Sequence, residues 1–191
     1  HITKALYRSI HSHMNDYQSF IHKSRYARYL DDAGRRETWK ETVERYCVFW
    51  ERPFPDEVKK AILDMEIMPS MRALMTAGPA LSRDHMAGYN CSYIAVDHIR
   101  TFDENLYVLL CGTGVGFSVE RQCISKLPEV AAEFHKSETT IVVRDSKIGW
   151  ATALRELVTL LYQGVIPEAD FSRVRPSGSR LKTFGGRASG P

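Results

Sequence analysis

Two features of the segment GYNCSYIAVDHIRTFDENLYVLLCGTGVGFSVE (residues 88–120) could do chemistry: the thiol of Cys91 and the run Gly112-Thr113-Gly114-Val115-Gly116. A thiol can give up a proton or hydrogen atom and then, as thiolate, close onto a second sulfur. Read as a turn, the glycine run bares backbone amides with little side-chain bulk, so a nucleotide's sugar or phosphate can approach the main chain closely. Ser70, in PSMR, adds a hydroxyl and an amide at a predicted helix N-terminus, where anions are favoured; capping its own helix is the competing role. Near the end, PSGSRLKTFGGRASGP scatters Arg180, Lys182 and Arg187 among glycines and serines. That composition suits a phosphate clamp or a solvated linker.

These groups need elements to hold them. Cys91, Tyr93 and Ala95 alternate with Ser92, Ile94 and Val96, the period of a strand. Thr101 and Glu104 have capping-box spacing and predict a helix along Phe102–Cys111, which Gly112 ends as a left-handed stop before a second strand. Upstream, residues 2–30 mix aromatic and basic side chains, and Leu6, Ile10, Met14 and Tyr17 fall at helical spacing. Base stacking is one use for such rings, and packing is the commoner one. Thr38 with Glu41 predicts a helix through Trp39, Val43, Tyr46 and Trp50, broken by Pro53 and Pro55. Asp56 and Glu57 open a further helix, where acids complement the dipole, and Ser70 and Gly78 bracket the next. Downstream, residues 122–137 read as a loop with a short helical piece and 140–144 as a β-branched strand. Asp145-Ser146 then leads into a long helix closed by Gly164, 171–175 reads as a short strand, and 176–191 as a flexible loop.

At 191 residues, 43% of them hydrophobic, the chain can bury a core, and a net charge of +3 favours no nucleic acid or membrane by itself. Cys47, Cys91, Cys111 and Cys123 show no zinc-ligand spacing, so no metal site is expected. With no signal or spanning run in view, a reduced, cytoplasmic setting is the default expectation. The close in mid-pattern at Ser189-Gly190-Pro191 reads as a piece of something longer.

Taken in order, PSMRALMTAG, NCSYIAVD, CGTGVGFSVER, DSKIGW and SGSRLKTFGGRASGP resemble the ribonucleotide reductases. The likeness is strongest to the monomeric, adenosylcobalamin-dependent (class II) ribonucleoside-triphosphate reductases, whose leader the stretch FIHKSRYARYLDDAGRRETWKETVERY also resembles. The resemblance implies an α/β fold: an N-terminal helical region (1–66), then the first part of a ten-stranded α/β barrel (67–191), incomplete in this chain. It implies that Cys91 is one of the redox-active cysteine pair below the ribose. Ser70, Asn90 and the Gly112–Gly116 run (Thr113, Gly114 and Val115 included) would contact substrate. Asp97, with Asp145 and Ser146 less directly, would lie at the specificity effector, and Lys182, Gly185, Gly186 and Arg187 in the loop between effector and substrate base. The implied cofactor is adenosylcobalamin, bound mainly by parts outside this chain. The implied partners are a ribonucleoside triphosphate, a dNTP effector, a thioredoxin-like reductant and a complementary polypeptide or remainder of the chain. The family's radical-bearing cysteine and second redox cysteine have no counterpart here, so the chain alone is expected to be inactive, and Cys47, Cys111 and Cys123 are read as buried or incidental thiols. The same portion of a diphosphate-reducing class I or II enzyme, or a non-catalytic nucleotide-binding module, remain the alternatives.

Overall fold

The computed structural model describes residues 14–181, 183 and 186–191; Leu6 and Ile10 of the first predicted helix, and the loop residues Lys182 and Gly185, lie outside the described residues. Packing divides the chain into two compact units, residues 1–88 with 183–185, and residues 89–182 with 186–191.

The first unit is helical. Helix α1 (Asp16–Ile21) starts with a capping box between Asn15 and Gln18 and runs into a wide turn, His22–Tyr26. A short antiparallel pair, β1 (Tyr29–Leu30) and β2 (Arg35–Arg36), turns the chain into α2 (Trp39–Phe49). The Thr38–Glu41 capping box is present as its spacing predicts. Helices α3 (Asp56–Leu63), α4 (Met71–Thr76) and α5 (Pro79–Arg83) follow, with a 3₁₀ turn at His85–Gly88. Gly78 is left-handed (φ 111°), but it is the cap that opens α5, one residue beyond the end of α4 at Ala77. Val43, Tyr46, Cys47 and Ile62 form the core with Leu74, Ala77, Leu81 and Ala87, so residues 67–88 contribute to the same interior as the N-terminal helices.

Beside that core runs a buried polar chain. His22 Nε2 donates to Thr42 Oγ1 (2.8 Å), and the Thr42 hydroxyl donates to Glu37 Oε2 (2.9 Å). Because the hydroxyl's one proton goes to the carboxylate, the imidazole must be the donor. Arg45 grips both Glu37 oxygens (2.7 and 2.9 Å) and extends its remaining fork to Ala77 O. Burial pushes the Glu37 carboxyl up, and the hydrogen bonds from Arg45, the Arg28 amide and Thr42 more than offset this, leaving it below the ordinary range.

The second unit repeats a strand-helix-strand motif. Strand β3 (Cys91–Ala95), helix α6 (Thr101–Leu110) and strand β4 (Gly114–Ser118) close one parallel pair. After a short helix α7 (Arg121–Ile124), β5 (His135–Val142), α8 (Lys147–Tyr162) and β6 (Val165–Asp170) close another. Ile141, Val143 and Ala153 form its core with Trp150, Leu157, Leu160 and Val174. The buried Asp103 of α6 takes two hydrogen bonds from Arg155 of α8 (3.0 and 2.8 Å), tying the two helices together.

Further sequence expectations need correction. Thr101 is not a cap: the N-cap is Arg100 without a side-chain bond, and the buried Thr101 hydroxyl donates to Ala95 O (3.3 Å), fastening helix to strand. Gly114–Gly116 belong to a strand rather than a turn, because ladder pairing with β3 outweighs glycine's poor strand propensity. The strand expected at 171–175 is instead β6 at Val165–Asp170, where pairing with β5 accommodates Pro167. The tail is not featureless: Arg180 and Arg187 pair in an antiparallel bridge, and Gly178 and Ser179 exchange backbone bonds with Ala188.

Candidate functional site

Cys91 opens β3, and its Cα partner in the parallel ladder is Gly114; Tyr93 pairs with Gly116 two residues on. Paired residues of a ladder point to the same face, so Cys91, Tyr93, Gly114 and Gly116 share one side of the sheet. That side is open: Cys91 is an exposed free thiol, Tyr93 is 69% exposed, and both glycines are exposed. A Cβ on Gly114 would meet only Asn90 O at 3.5 Å, and one on Gly116 only Ser92 O at 3.7 Å. The protein's own packing therefore does not demand glycine at either place. What glycine provides is a bare floor beside the thiol. The expected free amides are not all there, since the Gly114 N–H donates to Asn90 O (2.9 Å) as part of the ladder.

The remaining residues of the run hold this face in place. Gly112 takes the left-handed conformation after α6 (φ 82°), as its position predicts. Thr113 is buried and donates its hydroxyl to Tyr89 O (2.9 Å), which pins the entry of β4 to the entry of β3. Val115 is half-buried on the side away from the thiol, with Ser92 and Ile94. Asn90 is exposed immediately before Cys91. Tyr93 was legible only as a strand residue; its two-residue spacing from Cys91 is the signal that places it on the reactive face.

The other predicted residues have these surroundings. In the first unit, Ser70 caps α4, its hydroxyl accepting from the Ala73 amide (3.4 Å), and it stays exposed. In the second, the Asp97 carboxylate is 3.5 Å from Lys126 and 3.7 Å from His98. Asp145 accepts from Arg175 Nε at 2.8 and 2.9 Å, and Ser146 caps α8 through the Gly149 amide (2.9 Å). Gly186 is left-handed (φ 87°) and its carbonyl accepts from the Leu181 amide, while Arg187 donates to Gly178 O (2.9 Å).

The other thiols differ from Cys91. Cys47 lies in the first core, where burial pushes its pKa up and keeps it protonated. Cys111 is fully buried with the Lys147 ammonium 3.2 Å from its sulfur, a contact that spacing alone did not reveal. Cys123 is half-buried beside Ser118. Among the described residues, no group of three or more His, Cys, Asp or Glu side chains could hold a metal ion, and no helix is long and apolar enough to cross a membrane.

No protein-family model matches the chain. An adenosylcobalamin-dependent ribonucleoside-triphosphate reductase of Lacticaseibacillus paracasei is 27% identical over 269 aligned positions, covering 96% of this chain and 35% of its own length. A reductase of the same name from Euglena gracilis is 25% identical, covering 87% of this chain and 26% of its own length. A Mycobacterium phage D29 protein, provisionally given that name, is 28% identical over 90% of this chain and 30% of its own. The crystal structure of a B12-dependent (class II) ribonucleotide reductase superposes with a TM-score of 0.71 at 22% identity, covering 90% of this chain and 34% of that one. The chain thus has the fold of part of that structure, and spans about a third of the length of the relatives it matches.

Proposed function

We propose, from this homology to adenosylcobalamin-dependent ribonucleoside-triphosphate reductases, that the chain is a portion of an enzyme that reduces ribonucleoside triphosphates to deoxyribonucleotides. The observation that carries the reading is the register of Cys91 against Gly114, which sets an exposed thiol beside a glycine floor; on this reading the ribose would lie over that floor. In this reaction the 2′-hydroxyl leaves as water, a C2′–H bond forms, and two thiols become one disulfide. Cys91 would be one of those thiols, supplying a proton to the departing hydroxyl and then closing onto a second sulfur from elsewhere in the polypeptide. Gly114 and Gly116 would admit the sugar, Asn90 and Gly112 would border it, and Ser70 would contact phosphate or ribose. Asp97, Asp145 and Ser146 would serve the effector, and residues 182–187 would lie between effector and base.

Adenosylcobalamin, when bound, supplies the radical that starts the reaction. By the same homology, the surface that binds it is assigned to the remainder of the protein. On this reading the two parallel pairs are the first strands of a larger α/β barrel, which further strands complete. The chain alone would not turn over. A thioredoxin-like reductant would restore the thiols, and the setting would be the reducing cytoplasm.

The test is Cys91→Ser in the complete polypeptide. It should abolish dithiol-dependent turnover and leave nucleotide binding within about twofold of wild type, because the change removes a sulfur from an exposed face and no packing contact. Turnover at the wild-type rate would remove Cys91 from the mechanism.

A further inference from the structure

Arg28 lies in the leader stretch quoted above, where no role falls to it, yet its contacts single it out. The residue follows the wide turn of the first unit and is half-buried. Its backbone is locked to Glu37 in both directions: the Arg28 amide donates to Glu37 Oε2 (3.1 Å), and the Glu37 amide donates to Arg28 O (2.8 Å). With the backbone held, the guanidinium spans two carbonyls. Nε donates to Met75 O (3.2 Å), in the last turn of α4, and Nη2 donates to Thr183 O (3.1 Å), a residue that packs with the first unit. Arg83 reaches the Thr183 hydroxyl (3.4 Å) from α5.

Each half of the fork meets a need. The last carbonyls of a helix lack intrahelical partners, and a cation there is favoured by the dipole. A lone loop carbonyl gains from a charged donor in the same way. Only a planar group with several diverging N–H bonds can meet both from one backbone position, and a lysine ammonium serves such a pair poorly. Helix α4 is the helix that Ser70 caps, so one side chain joins the Ser70 helix to Thr183.

We propose that Arg28 is a positioning residue for substrate choice: by joining the Ser70 helix to Thr183, it ties the backbone at Thr183 to the helix that meets the substrate, and so sets how far the effector governs which base is reduced. This rests on the reductase reading, in which residues 182–187 mediate between effector and base. Arg28 touches no reacting atom.

The experiment uses the complete polypeptide with Arg28→Met and Arg28→Lys, two readouts and a thermal melt as a control on folding. In hydrogen exchange, the peptide covering 176–191 should exchange at least about tenfold faster in Arg28→Met, with Arg28→Lys in between. In competition assays with CTP and ATP as substrates under each dNTP effector, the effector-dependent ratio of kcat/KM between bases should fall at least about threefold in Arg28→Met. A merely structural loss would lower all substrates alike and leave that ratio unchanged. Unchanged exchange, or an unchanged ratio, overturns the proposal. Should Arg28→Met fail to fold, Arg28→Lys and the exposed-residue change Arg83→Met carry the same two readouts. Absence of any nucleotide reduction by the wild-type protein would count against the reductase reading instead, and the exchange result would still decide whether Arg28 holds the loop.

Discussion

Cys91 and Gly114 stand opposite one another in a parallel ladder, so the thiol's neighbour on the open face is a residue with no side chain. A valine at 114 would therefore change the face and little else, since its Cβ meets only Asn90 O at an ordinary 3.5 Å. Gly114→Val should leave the melting temperature within a few degrees of wild type, the β-branched residue being at home in a strand. It should weaken ribonucleotide binding in the complete enzyme by at least about tenfold, or roughly 1.4 kcal/mol. Calorimetric titration with a ribonucleoside triphosphate checks both the affinity and the claim that the floor beside the thiol must be bare.

The Thr101 hydroxyl separates two roles that look alike in sequence. As a buried donor to Ala95 O, its loss in Thr101→Val should cost about 1 kcal/mol. Thr101→Asp should cost more, about 2 kcal/mol or above, because a carboxylate cannot donate and would be buried beside a carbonyl. Were Thr101 an N-cap, aspartate would be as good as threonine or better. Urea denaturation of the two variants gives the order.

Glu37 holds Arg45 and the Arg28 amide, and it is 3% exposed. Glu37→Gln leaves the Arg45 charge without its carboxylate in a largely buried place and should destabilise by about 3–5 kcal/mol. The folded-state carboxyl pKa lies below its ordinary 4.5, so the contribution is present above that pH and is lost as pH falls through the folded value.

His22 gives a second pH dependence, in a higher window. Burial is the chief reason its pKa lies below 6.5, against the raising pull of Glu37 and with help from Lys23 and Arg45. Below 6.5 the unfolded chain takes up a proton that the folded one refuses, so stability falls as pH drops from 6.5 toward the folded pKa. His22→Gln, which keeps an N–H for Thr42, should flatten that part of the stability profile. Denaturation midpoints measured between pH 5 and 7 would show the slope in wild type and its loss in the variant.

Gly149 offers a check on the second unit. Alanine in a helix interior ordinarily gains about 1 kcal/mol over glycine. Here the added Cβ would sit 2.4 Å from Arg144 O and 2.6 Å from Arg144 Cβ, both close to backbone. Overpacking of that kind costs about 3 kcal/mol, so Gly149→Ala should destabilise on balance, by a margin that thermal denaturation resolves.

The amino-acid order by itself determined the features that depend on a few neighbouring residues. The Thr38–Glu41 box, the caps at Ser70 and Ser146, and the left-handed stops at Gly112 and Gly164 each follow from bonds or dihedrals spanning one helical turn. The strand at Cys91 follows from a two-residue period. Recurring motifs carried the likeness to the reductases, and with it Cys91 as the reactive group.

Tertiary structure alone decided what those groups face. Which residue sits opposite Cys91 depends on a register set by pairing across α6, and the same pairing draws Gly114–Gly116 into a strand that their propensity opposes. Thr101 has the spacing of a cap, but the nearness of the Ala95 carbonyl gives its hydroxyl a better use. The Asp103–Arg155 pair and the reach of Arg28 to Thr183 join residues too distant in sequence for any local period to connect. A charge out of water must find a counter-charge or several donors, and only the folded chain brings those within 3 Å or so.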